Sequence, residues 1–318
     1  MKIYARRNGG KTDWLLIVAM TSLTFGCASG PSHEEGYKYV NGVNHYYEIY
    51  GSGDPVFVLH GGPGMYHDEL VPYFAPLAKT NAVIFYDQRG NGRSLLERIN
   101  RDTFNVELMV EDLELLRKEF KVERLTLLGH SWGGLLALYY ATKYPDNVER
   151  LIIIDAAPVN TELLIKSYEN LVSRFTESEW AHLQEMYDSE EYQKGNPAVH
   201  NEAMRLSEGK TFYRKELIDE FMLHASFDER TAKNMVEIAP LATEMKLSIS
   251  VQDDLGRISC PVLIIHSRQD FVVEESPRLA HELLPNSRIE YIENSGHYPF
   301  IEAPEALFEA VHRFLEEK

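Results

Sequence analysis

Short, unbroken apolar runs recur along this chain: Val56–Leu59, Val83–Tyr86, Leu125–Leu128, Leu151–Ile154 and Val262–Ile265. Runs of that length suit strands buried on both faces of a parallel sheet, and the helical patterns between them supply the covering layers. Polar and apolar residues alternate in Tyr37–Val40 and His45–Tyr50, on either side of Asn41-Gly42. That pattern predicts an antiparallel hairpin at a sheet edge. A final strand is predicted at Arg288–Ile292.

The rhythm breaks between residues 156 and 255, where no buried strand is evident and amphipathic helices follow one another. Thr176-Glu177-Ser178-Glu179 reads as a capping box and Asn196-Pro197 as a second helix start. An insertion of about 100 residues is too long for an ordinary loop, so 156–255 is expected to be a helical cap, or lid. The α/β core is then 36–155 together with 256–318. Among the insertion's aromatics are Tyr168, Phe175, Trp180, Tyr187, Phe212, Tyr213 and Phe221. Most of them are expected to pack against the core, leaving one or two for substrate.

Lys2, Arg6, Arg7 and Lys11 precede the apolar run Trp14–Met20, and Leu23-Thr24-Phe25-Gly26-Cys27 follows. Residues 1–26 read as a bacterial export signal of the lipoprotein type, with Cys27 the lipidated new N-terminus and 27–35 a linker. The apolar stretch from Trp14 to Phe25 is short of the ~20 residues a membrane-spanning helix needs. The expected location is therefore an exported, membrane-anchored lipoprotein, touching the membrane only through its lipid. The formal net charge of −17 becomes more negative once the basic leader is removed. Such a balance opposes nucleic-acid binding, which requires basic side chains against phosphates. With Cys27 lipidated, Cys260 is the only thiol left, so neither an internal disulfide nor a cysteine-built zinc site is available.

The most informative motif is Gly129-His130-Ser131-Trp132-Gly133, between the run ending at Leu128 and the helical pattern from Leu135. A serine pushed out of a sharp strand-to-helix turn needs glycines two residues away on either side, where a side chain would collide. Its hydroxyl also needs a base, and the base needs a carboxylate to fix its tautomer. Asp270 follows the strand Val262–Ile265, and His297 follows Arg288–Ile292, in the order serine, acid, histidine. Asp253, Asp254 and Glu274 are other nearby acids, none following its strand as directly, and His130 is read as structural. The glycine-rich loop His60-Gly61-Gly62-Pro63-Gly64 follows Val56–Leu59. Since Pro63 lacks an N–H, Gly62 is the natural first donor to an oxyanion and the Trp132 amide the second. No Gly-Lys-Ser/Thr element follows to make this a phosphate loop. Asp87-Gln88-Arg89-Gly90-Asn91-Gly92-Arg93-Ser94 is read as a hydrogen-bonded turn supporting the elbow. This constellation is that of a hydrolase working through an acyl-enzyme, with no cofactor or metal.

His-Gly-Gly-Pro-Gly at 60–64, Asp-Gln-Arg-Gly-Asn-Gly-Arg-Ser at 87–94, Gly-His-Ser-Trp-Gly-Gly at 129–134 and Gly-His-Tyr-Pro at 296–299 together resemble the proline iminopeptidase group of α/β hydrolases. The resemblance runs from about Gly36 to the C-terminus. It implies an α/β-hydrolase fold with a cap, Ser131 as nucleophile, Asp270 as acid, His297 as base and an oxyanion hole at Gly62 and Trp132. In that group cap glutamates bind the substrate's free amine, one of them in a Trp-Glu-Gly context. Ser207-Glu208-Gly209 is the nearest match, with serine in place of the tryptophan, and it implies Glu208 as a substrate-binding residue. The expected activity is release of N-terminal proline or small residues from short peptides. The alternative is a carboxylesterase or lactonase acting on small esters with the same machinery. A binding module without catalysis would have no need for the intact Ser131, Asp270 and His297. Epoxide hydrolases and haloalkane dehalogenases of this fold carry aspartate at the elbow.

Overall fold

In the computed structural model, residues 32–317 are described, and eight strands make one sheet. They are β1 (His33–Val40), β2 (Val43–Gly51), β3 (Asp54–Leu59), β4 (Asn81–Tyr86), β5 (Leu125–His130), β6 (Val148–Ile154), β7 (Val262–Ser267) and β8 (Ser287–Ile292). The order across the sheet is β1-β2-β4-β3-β5-β6-β7-β8. β1, β2 and β4 pair antiparallel, and every other pairing is parallel. The export signal and Cys27 lie outside the described residues.

The Asn41-Gly42 turn has φ of 48° and 79°, the paired left-handed conformation that lets a two-residue hairpin follow the strand twist. β1 starts earlier than the sequence pattern indicates. His33, Glu34 and Glu35, expected in the 27–35 linker, pair with Tyr50, Ile49 and Glu48. Their polarity hides the strand, because this edge faces water and buries little.

Alternate residues of the central strands feed two cores. Phe57, Leu127 and Ile153 pack with the helices Val106–Glu119 and Trp132–Lys143. Val58, Leu128 and Ile152 pack on the other face with Phe74, Leu307 and Phe314. β3 leads to β4 on one side, whereas β5 lies on its other side. This reversal opens a crevice at the carboxyl ends of β3 and β5, where doubly wound sheets hold ligands.

Helices occupy the chain between β6 and β7, the longest of them Thr161–Val172, Glu177–Asp188, Pro197–Glu208 and Glu229–Ser248. Thr176 and Glu179 exchange the reciprocal bonds of a capping box, and Asn196 caps Pro197–Glu208. The two ends of the insertion meet where Val251 N–H donates to the Val159 carbonyl at 2.9 Å. Among the described residues no helix is long and apolar enough to cross a membrane.

Candidate active site

Ser131 sits between β5 and the helix Trp132–Lys143 with φ 53° and ψ −119°, a conformation an L-residue holds only when its surroundings impose it. The surroundings do so by contact. A Cβ on Gly129 would stand 2.3 Å from the Gly133 carbonyl oxygen, and one on Gly133 would stand 2.2 Å from that of Leu59. Both glycines are therefore needed for β3, β5 and the helix to approach.

The structure brings together the three residues that the chain order suggested. Ser131 Oγ and His297 Nε2 are 2.9 Å apart, and His297 Nδ1–H donates to the Asp270 carboxylate at 2.9 and 3.1 Å. Burial pushes the His297 imidazole down to about 4, so at neutral pH the ring is uncharged and able to accept the serine proton. Burial pushes Asp270 up to about 6, and the Phe271 amide at 2.6 Å is among the donors opposing that rise. Glu274 is not part of this arrangement and pairs with Arg268 at 2.9 Å.

Several groups hold the relay in place. His130 Nε2–H donates to the His297 carbonyl at 2.7 Å, leaving its Nδ1 without a partner among the described residues. Asp155, at the end of β6, is fully buried with φ 42°. It accepts from the amide and hydroxyl of Ser267 at 2.7 and 2.8 Å and pairs with His266 at 3.1 Å. Asp155, His266 and Asp270 bring ligand atoms within 4.8 Å of one another, the spacing of a metal site. Those atoms already serve Ser267, His297 and each other.

The insertion grips both loops of the relay. Arg174 donates to the carbonyls of Asp270 and Gln269 at 2.5 and 3.1 Å, Asn170 to that of Phe271 at 2.8 Å, and Ser167 Oγ accepts from Val273 N–H at 3.1 Å. On the other side, His297 N–H donates to the Thr211 carbonyl at 3.0 Å. A Cβ on Gly296 would stand 2.1 Å from that oxygen, which explains the glycine before His297.

Gly62 lines the cavity with Ser131, at φ 108°, while Trp132, the first residue of the helix after Ser131, is fully buried. Trp132 Nε1–H donates to Gln88 Oε1 at 2.8 Å, and Gln88 Nε2 donates to the His60 carbonyl at 2.9 Å. The 87–94 turn thereby ties the elbow to the glycine loop. Its arginines point elsewhere: Arg89 makes a two-pronged pair with Asp112, and Arg93 pairs with Glu48.

The cavity measures about 740 Å³. Tyr168, Phe175, Trp180 and Tyr187 all line it, more aromatics than the one or two expected, because the first two cap helices and the turn between them run along the cavity. Phe212 instead stacks on Tyr298, and Phe221 packs against the same ring at a tilt of 44°. Glu208 lies on the wall and accepts from Tyr298 O–H at 2.7 Å. Sequence reasoning missed Glu69, also on the wall, 2% exposed and accepting from Gly61 N–H at 3.0 Å. Burial raises its carboxyl to about 8, with the nearby Glu208 charge adding to the rise. Its acidic position eight residues beyond the first loop glycine was the one available signal.

A nucleophile, base and acid at the switch point of a doubly wound sheet define a hydrolase site. The chain belongs to the alpha/beta hydrolase fold family, whose model matches residues 54–304, and it is a hydrolase. It is 29% identical to a proline iminopeptidase of Saccharolobus solfataricus, over 89% of this chain and 93% of the relative. To a proline iminopeptidase of Heyndrickxia coagulans it is 30% identical, over 83% and 91%. The crystal structure of a Mycobacterium smegmatis proline iminopeptidase shares the fold with a TM-score of 0.63 and 22% identity, over 89% of this chain and 97% of the other.

Proposed function

We propose that the protein is a serine aminopeptidase that releases proline or another small residue from the N-terminus of short peptides. Ser131 attacks the first carbonyl as His297 takes its proton, and Asp270 holds the resulting imidazolium. The Gly62 and Trp132 amides receive the oxyanion. His297 then protonates the leaving amine, and water resolves the acyl-enzyme. Names of relatives and the serine–histidine–aspartate geometry support hydrolysis. The observation that carries the aminopeptidase reading is the pair Glu69 and Glu208 on the wall of the Ser131 cavity, neither with a basic partner among the described residues. A buried ammonium needs a carboxylate, since an unpaired charge out of water costs several kcal/mol, and its positive charge favours the ionised form of Glu69 that burial otherwise disfavours at neutral pH.

The test compares prolyl and alanyl arylamides with their N-acetylated forms. Hydrolysis of the free amines alone, with KM raised in Glu69→Gln and Glu208→Gln, is the expected result. Equal rates on free and acetylated substrates would reject the reading, and turnover of short esters alone would favour the esterase or lactonase alternative. We also propose export and lipidation at Cys27, on the strength of the basic leader, the short apolar run and the cysteine that ends it.

A further inference from the structure

The cavity is electrically lopsided. Glu69 and Glu208 stand on the wall it shares with Ser131, whereas Lys246 is the one lysine or arginine among the described residues lining it. Met235, Ala239, Thr243 and Lys246 line the cavity at helical spacing along Glu229–Ser248. Met235 marks the catalytic end, its sulfur 2.4 Å from where a Cβ on Gly64 of the glycine loop would stand. Thr243 and Lys246 belong to the solvent end, where Tyr168 is 37% exposed. Eleven residues of helix separate Met235 from Lys246, about 16 Å at 1.5 Å each, which is the span of roughly five extended residues.

Lys246 also differs from its neighbours in pairing. Lys166, Lys194, Lys210 and Lys233 of the same insertion each hold a glutamate, and Lys215, which holds none, does not line this cavity. Lys246 donates only to the Tyr168 hydroxyl at 3.0 Å and has no carboxylate within ion-pair distance among the described residues. Donors remain for an incoming anion. Asp188, the third acid on the wall, is exposed at the end of its own helix.

We infer that Lys246 receives the C-terminal carboxylate of the substrate, making the enzyme selective for unblocked peptides of roughly three to five residues. This rests on the aminopeptidase reading, with the ammonium at Glu69 and Glu208 and the carboxylate at the opposite end of one cavity. The contact is partly solvated, so the expected discrimination is modest.

The experiment measures kcat/KM for Pro-Ala-Ala-Ala-Ala, about five extended residues long, and its C-terminal amide, with a prolyl arylamide as control. The free acid should be preferred by roughly fivefold at low salt, and less as salt rises. Lys246→Met should erase the preference and Lys246→Arg keep it, while all three proteins turn over the arylamide equally. Arylamide turnover with no preference for the acid, or a preference that survives Lys246→Met, overturns this inference alone. Failure to hydrolyse the free-amine arylamide overturns the aminopeptidase reading with it.

Discussion

Replacing Asp270 by asparagine should move catalysis and stability in opposite directions. The carboxylate accepts from His297 Nδ1 and, at 2.6 Å, from Phe271 N–H. An asparagine that keeps its oxygen on Phe271 turns its NH₂ toward His297 Nδ1. That nitrogen must then carry the lone pair, the proton moves to Nε2, and the acceptor for Ser131 is gone. The expected loss is about 10⁴ in kcat, or ~5 kcal/mol of activation free energy. The fold should gain. Burial raises this carboxyl from 3.8 to about 6, so holding it ionised at neutral pH costs the native state roughly 3 kcal/mol. Because the folded value lies above the unfolded one, that penalty is complete above about pH 6 and disappears below pH 3.8. The Asp270→Asn variant should therefore melt several degrees higher than wild type at pH 8, and the gap should close by about pH 4. Thermal melts across that range and arylamide kinetics test both halves. A rate within tenfold of wild type refutes the relay. An asparagine variant less stable than wild type at pH 8 refutes the claim that the ionised acid is held at a cost.

Gly133→Ala must force its methyl against the Leu59 carbonyl and should lower stability by ~1–3 kcal/mol or more. Retained fluorophosphonate labelling and an unchanged melting temperature would contradict the elbow packing. Arg174→Ala should lower kcat by roughly 10² with little change in KM, because the acid loop loses its grip. It should also shift the acid limb of the pH profile upward, since the guanidinium charge contributes to holding His297 low. Arg174→Lys should recover part of both, and an unmoved limb would reduce Arg174 to a packing role. Cys27→Ser should release the protein from membranes into the soluble exported fraction. Mass spectrometry that finds Cys27 unmodified in the mature chain would overturn lipidation.

The central strands and the elbow were legible because each obeys a local rule: continuous apolar runs, or glycines flanking a strained serine. Asp270 and His297 were legible by their order after two strands. The start of β1 was not, since an exposed edge leaves His33-Glu34-Glu35 with no apolar signature. Glu69, Asp155, Arg174 and Lys246 were missed for a different reason. Each takes its importance from what stands opposite it in space, and apart from the spacing of Glu69 after Gly61 nothing in its own neighbourhood marks it. The cap aromatics show the same limit, because spacing identifies the helix but does not say which face meets the cavity.

The grip of Arg174, Asn170 and Ser167 on one loop, and of Thr211 on the other, bears on how this enzyme can be altered. The insertion adds scaffolding for the chemistry to that which His130 and Asp155 supply from the sheet. Transplanting a foreign cap to change specificity would discard those five hydrogen bonds together with the old binding surface. Such a chimera should keep its sheet and its serine yet lose turnover on every substrate. Redesign of this scaffold therefore has to proceed by changing side chains that face the cavity, such as Tyr168 or Trp180, while keeping the segment 167–174 and Thr211 intact.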